Sequence, residues 1–160
     1  MNDFLKEFVR ESNRIEGIIR DPTIDEIKAH GEFIHLPRVT VKDLENFVRV
    51  VAPGHVLRNQ TGLDVEVGNH YPPLGGKYVK DELENQLRNL HSTAPHFVHL
   101  KYEWLHPFTD GNGRSGRVLW LWCMDKRNLL DIALRRGFLH NFYYQTLEAY
   151  DDLRALEDEK

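Results

Sequence analysis

Apolar residues recur at helical spacing through most of the chain, and the places where that spacing fails locate everything else. Phe4, Leu5, Phe8 and Val9 form an i, i+4 stripe that predicts an amphipathic helix over residues 3 to about 16. Asp21 and Pro22 stop it. Thr23 with Glu26 makes a capping-box pattern, which opens a second helix through about His35 that Pro37 ends. Thr40 is the next N-cap residue, and Val41, Leu44, Phe47, Val48 and Val51 mark a third helix up to Pro53. Leu83, Leu87 and Leu90 recover the period, and Pro95 begins another helix carrying Phe97, Leu100 and Trp104 or Leu105. Val118 to Lys126 is apolar on nearly all sides, which predicts a central buried helix with Trp120 and Trp122 in the core. A last helix is expected from about Phe138 into an acidic C-terminus.

Residues 54 to 76 break the pattern. They hold five glycines, two prolines and a short alternation, Leu63-Asp64-Val65-Glu66-Val67, which predicts a small β-hairpin closed by Pro72-Pro73. The expected fold class is therefore all-α, a single mainly helical domain with one small β-hairpin. Its N-terminal helices would occupy residues 1–36 and its core residues 37–160.

At 160 residues the chain is long enough for one hydrophobic core. A formal charge of −4 excludes the basic excess of a broad nucleic-acid surface, while leaving room for a small basic pocket around one anionic ligand. The single cysteine, Cys123, forms no internal disulfide, and the N-terminus MNDFLKEFVRES has no signal-peptide core. The longest apolar run, Val118 to Met124, falls far short of a membrane span. These features predict a cytoplasmic protein with no membrane and no nucleic-acid partner.

The stretch HPFTDGNGRSGR, residues 106 to 117, concentrates the candidate chemistry between two helices. The start of a helix offers unpaired N–H groups and about half a positive charge, and glycines let those donors converge on an anion. Arg114 and Arg117 are three apart, hence neighbours on one helical face, and each can fork onto phosphate oxygens. Asp110 supplies a hard oxygen ligand for Mg²⁺ or Mn²⁺ held together with substrate phosphates. His106, with a reference pKa of about 6.5, is largely neutral at cellular pH and able to take a proton from a hydroxyl. Base, metal carboxylate and anion cradle are the parts needed for transfer from a nucleotide to a hydroxyl. Set against this is a plain Gly/Asn turn with solvated arginines and a helix-capping histidine.

The order of residues is more specific than the chemistry. HPFTDGNGRSGR resembles the Fic-family signature, His-x-Phe-x-Asp/Glu-Gly-Asn-Gly-Arg-x-x-Arg, at every specified position. VEVGNHYPP, residues 65 to 73, is similar to the end of that family's flap hairpin, and YYQTLEAYD, residues 143 to 151, to its late helix. The resemblance implies transfer of AMP from ATP to a Ser, Thr or Tyr hydroxyl of a target protein, with release of pyrophosphate. On that reading His106 is the catalytic base, and Pro107 and Phe108 anchor the loop. Asp110 binds the metal. Asn112 cradles the α- and β-phosphates with the backbone of Gly111 and Gly113, Arg114 contacts the β-phosphate and Arg117 the γ-phosphate. Ser115 and Gly116 complete the nucleotide-binding set. Gly113 favours AMP transfer, because the phosphate-transferring Doc branch carries lysine there.

The same resemblance makes the flap, Val65, Glu66, Val67 and Gly68, a cover for the nucleotide and a docking edge for an extended segment of the target. Glu66 departs from the usual apolar or aromatic residue. Tyr143 falls where a family tyrosine lines the adenine pocket, although a core aromatic on that helix fits nearly as well. Asp151 replaces an asparagine that reads the base, which leaves base preference open. SNRIEG, residues 12 to 17, resembles the family's inhibitory motif Ser/Thr-x-x-x-Glu-Gly/Asn, implying that Glu16 pairs with Arg117 at the γ-phosphate position. Ser12 would support that pair and Gly17 would close the motif, with Phe4, Phe8, Val9 and Ile15 docking the helix.

Three other readings are carried forward. Glu16 could instead position a water that removes AMP from a modified target, alone or alongside transfer. The chain could be a non-catalytic regulatory module of the same fold. A metal-dependent hydrolase built on His91, His96 and His99 lacks a carboxylate at zincin spacing. The protein target is unspecified, with the chain itself among the candidates, and homo-oligomers stay open.

Overall fold

A computed structural model describes residues 2–134 of the chain. The order of elements is α1 (Asn2–Ile15), α2 (Ile24–Ile34), α3 (Val41–Val51), α4 (Lys77–Arg88), α5 (Pro95–Leu105), α6 (Asn112–Asp125) and a short α7 (Leu130–Ala133). The expected capping box forms at Thr23, and the expected N-cap at Thr40 proves to be a second one. The Thr23 side chain accepts from the Glu26 N–H while Glu26 accepts from the Thr23 N–H at 2.7 Å, and Thr40 with Asp43 repeats the arrangement.

The all-around apolar run becomes the axis of the molecule. Val118 to Met124 are all buried on α6, and α6 packs against α1, α2, α3, α5 and α7. Its extent differs from the expectation at the start. The helix begins at Asn112, inside the motif, so its polar first turn and its apolar remainder are one rigid body. Trp122 is buried and its indole N–H donates to the Leu36 carbonyl at 2.9 Å, which satisfies the one polar atom it takes into the core.

α1 lies on this core through Leu5, Phe8, Val9, Ser12 and Asn13, all buried and all on one stripe. Phe8 stacks on Trp120 with ring centroids 6.4 Å apart. Phe4 differs from the expectation: it is 60% exposed, because the stripe that faces α6 runs through Leu5 instead. Each fully buried Leu, Phe or Val contributes roughly 1.5–3 kcal/mol, so Leu5, Phe8 and Val9 supply most of the docking of α1.

The expected β-hairpin is not formed among the described residues. Residues 63–68 carry no strand, and what remains is one antiparallel bridge between Val67 and His70, whose N–H groups donate to each other's carbonyls at 3.0 and 2.8 Å. The alternation produces no buried face: Val65 is only partly buried and Val67 is 41% exposed. A second bridge, Leu57 to Phe108, ties the segment before this loop to the motif itself. The late helix expected from Phe138, with Tyr143 and Asp151, lies outside the described residues. Among the described residues no helix is long and apolar enough to cross a membrane.

Candidate active site

The motif is a turn between α5 and α6, held from both sides. His106 is the C-cap of α5 in the left-handed region (φ 49°, ψ 62°), and its N–H donates to the Tyr102 carbonyl at 2.9 Å. Outside glycine that conformation costs roughly 1–2 kcal/mol, so the neighbouring structure must impose it. Opposite, the Thr109 N–H donates to the Val56 carbonyl at 2.9 Å and the Arg58 N–H to the Pro107 carbonyl at 2.8 Å. Phe108 is completely buried, and Pro107 is buried beside it.

Arg58, which no spacing in the sequence singles out, closes the arrangement. Its buried guanidinium donates from Nε to the His106 carbonyl (2.7 Å), from NH2 to the Leu105 carbonyl (2.9 Å), and from NH1 to the carbonyls of Leu63 (3.1 Å) and Pro73 (2.8 Å). Two of these are the carbonyls at the end of α5, which lack intrahelical donors and attract a cation.

The His106 ring is only partly exposed, and burial with the Arg58 charge pushes its pKa down to about 4. The Glu103 carbonyl, hydrogen-bonded to the ring, opposes that shift. A neutral imidazole so held has one nitrogen engaged and the other able to accept a proton.

The α6 N-terminus sits beside this ring in the chain and begins without a side-chain cap from Gly111 (φ 80°). An acidic group from elsewhere is seated there. Glu16 Oε1 and Cδ lie so close to Gly113 that any side-chain carbon on residue 113 would overlap them. The same Oε1 accepts from Arg117 NH2 at 2.6 Å. Arg117 is completely buried, and it also donates from Nε to Ser12 Oγ (2.8 Å) and from NH2 to the Ser12 carbonyl (2.9 Å). Ser12, Glu16, Gly113 and Arg117 are thus brought together, and Gly17 follows in a left-handed turn at φ 77° that suits glycine.

Other sequence-predicted residues fall differently. The Asn112 side chain is turned inward, where Oδ1 accepts the Phe108 N–H and Nδ2 donates to the Phe108 carbonyl, both at 2.8 Å. Its amide thus braces the loop from within. Ser115 is completely buried, with Oγ 2.7 Å from the Tyr102 hydroxyl and 2.8 Å from the Gly111 carbonyl. Gly116 packs on α5, where a Cβ would meet Glu103, Tyr102 and His99. Helical geometry puts residues 115 and 116 on the α5 side and 113, 114 and 117 toward the loop mouth and α1. Arg114 is buried, with NH1 donating to the Val51 carbonyl at the end of α3.

Asp110 is exposed. Its Oδ1 accepts the Gly111 N–H at 2.7 Å, and its Oδ2 lies 3.7 Å from His55 Nε2. A single outward carboxylate fits a divalent cation shared with ligand phosphates, and among the described residues no group of three His, Cys, Asp or Glu is arranged to hold an ion by itself. His99 is buried within 3.9 Å of Glu103 Oε1, and burial pushes its pKa down to about 3. Burial likewise pushes Glu103 up to about 7, a second group that no spacing or motif in the chain singles out.

Residues 55–124 match the family model described as Fic/DOC family. The chain belongs to the Fic/DOC family. Relatives named protein adenylyltransferase Fic support this Fic/DOC assignment. The Drosophila ananassae protein is 34% identical over 127 residues, which is 69% of this chain and 24% of that protein. The Drosophila persimilis protein is 36% identical and the Drosophila melanogaster protein 37% identical, each over 97 residues, or 51% of this chain and 18% and 19% of theirs. The chain therefore spans less than a quarter of the length of these Fic relatives.

Proposed function

We propose that this chain transfers AMP from ATP to a Ser, Thr or Tyr hydroxyl of a protein, and that Glu16 restrains the reaction. The observation that carries the reading is a carboxylate of the chain's own seated where an anion cradle would hold phosphate, at the uncapped start of α6 and against Arg117. A seat that draws in Glu16 is built for negative charge. The named activity of the Fic relatives supplies the substrate class.

In the proposed reaction the His106 nitrogen takes the proton of the target hydroxyl. The hydroxyl oxygen bonds to the α-phosphorus, the bond from that phosphorus to the α–β bridging oxygen breaks, and pyrophosphate leaves with its electron pair. Asp110 would hold Mg²⁺ or Mn²⁺ beside the phosphates, and the ion supplies charge neutralisation when bound. The backbone N–H groups at Gly111 to Gly113 and the Arg117 guanidinium bind phosphate oxygens once Glu16 withdraws. Loop 63–68 offers backbone groups to an extended target segment. Transfer needs Glu16 to move, because its carboxylate and a phosphate cannot share Arg117 and the turn at Gly113.

The test is incubation of Glu16→Gly protein with α-³²P-ATP, Mg²⁺ and lysate. Label should appear on protein, rise at least tenfold over the parent, and vanish in Glu16→Gly/His106→Ala. Absence of label from all forms would remove the transferase reading. Release of AMP from pre-labelled protein by the parent, lost in Glu16→Gly, would instead favour AMP removal.

A further inference from the structure

Arg58 is a completely buried cation whose side-chain hydrogen bonds, among the described residues, go to peptide carbonyls. Burying a guanidinium without a hydrogen-bonded carboxylate is costly, and the cost is met only if every acceptor stays in place. Those acceptors belong to two separate pieces of chain. The Nε and NH2 edge grips Leu105 and His106, and NH1 grips Leu63 and Pro73, the two ends of the loop that carries the Val67–His70 turn. The backbone of Arg58 adds to the link: its N–H donates to Pro107 at 2.8 Å and its carbonyl accepts from Gly76 at 2.9 Å. The guanidinium is planar and rigid, so a shift of the loop ends and a shift of the His106 carbonyl cannot occur independently. His106 meanwhile holds a left-handed conformation that its own backbone does not favour.

We propose that Arg58 is the positioning residue of His106, and that it transmits the state of loop 63–73 to that ring. A target segment pairing with the loop would then be felt at the base through one side chain. Asp64 belongs to the same device from outside. Its Oδ1 accepts the Gly75 N–H at 2.7 Å and closes the loop base without touching the motif.

The kinetic half of the test rests on the transfer function proposed above, and the structural half does not. Arg58→Lys keeps the charge and loses the fork; Arg58→Met loses both and can fail to fold, so Arg58→Lys and Asp64→Ala carry the comparison. By hydrogen exchange and mass spectrometry, Arg58→Lys should raise exchange at least tenfold in 63–73 and 104–109 together, with α2 and α3 unchanged. Unchanged protection at 104–109, or a uniform rise over all helices, would overturn the assignment.

In the Glu16→Gly background, Arg58→Lys should lower kcat about tenfold to a hundredfold with KM for ATP within about twofold, as expected for a misplaced base. Asp64→Ala should lower kcat with Arg58 present and add nothing in Arg58→Lys, a non-additivity that marks coupling. Additive effects, or an unchanged kcat, would overturn transmission. Should Glu16→Gly transfer no AMP at all, the transferase reading fails alone, and hydrogen exchange still decides the role of Arg58.

Discussion

Glu16 and Gly113 come from opposite ends of the described chain and fit so closely that residue 113 has no room for a side chain while Glu16 is seated. Glycine at 113 thus serves a contact, since its backbone lies in the regular first turn of α6.

Gly113→Ala should therefore unseat the Glu16 carboxylate, the flexible end of a side chain, at a cost on the order of 1 kcal/mol for the lost charged hydrogen bond. The same substitution made in Glu16→Gly protein should cost nearly nothing. Urea unfolding of the four proteins in a double-mutant cycle measures the difference, and equal costs in both backgrounds would mean that the two residues do not interact.

Ser12 stands on the other side of Arg117. Removing its hydroxyl leaves the Arg117 Nε–H facing a buried site without its acceptor at 2.8 Å. Ser12→Ala should destabilise by about 1–3 kcal/mol and raise transfer less than Glu16→Gly does, because the Ser12 carbonyl and Glu16 both still hold NH2. Denaturant midpoints and labelling rates check both halves.

The docking of α1 distinguishes two phenylalanines. Phe8 is buried against Trp120, and Phe8→Ala should cost about 3–5 kcal/mol; Phe4→Ala, at 60% exposure, should stay within about 0.5 kcal/mol. Comparable losses for the two would contradict the packing of α1.

Glu103 gives a pH dependence whose sign can be fixed. Burial raises its pKa to about 7 in the folded protein, against 4.5 for the ordinary group, so the native state holds a proton that the unfolded chain releases. Stability from this group is full below pH 4.5 and declines as pH rises toward 7, by roughly 3 kcal/mol at most. Glu103→Gln keeps the neutral form, so its stability relative to the parent should rise across that window. Parallel curves of unfolding free energy against pH for the two proteins would refute the assignment.

Much of this was legible in the residues. Capping boxes and apolar spacing placed α1, α2 and α3 because those signals are local, and the continuous apolar run marked α6 because few other settings bury every side of a helix. The motif residues could be named for the same reason, being adjacent in the chain. What the letters leave open shares a cause. Asn112 and Ser115 sit in a motif that suggests ligand contact, yet their orientation is set by the turn of α6 against α5, which a string of letters does not reveal. Val65 and Val67 alternate correctly for a strand, but alternation needs a partner edge along its length, and among the described residues the pairing stops at the Val67–His70 bridge. Arg58 gave no signal at all, since one arginine among Val56, Leu57 and Asn59 has no period or motif to mark it.

The carbonyl-only setting of Arg58 bears on what the motif turn can withstand. Ionic strength weakens attraction between opposite charges, and acid breaks bridges by protonating a carboxylate, but peptide oxygens carry no full charge and do not titrate in water. The hydrogen bonds that Arg58 makes under His106 should therefore stay fastened in concentrated salt, where the Glu16–Arg117 ion pair loosens, while Glu103 keeps its separate dependence on pH.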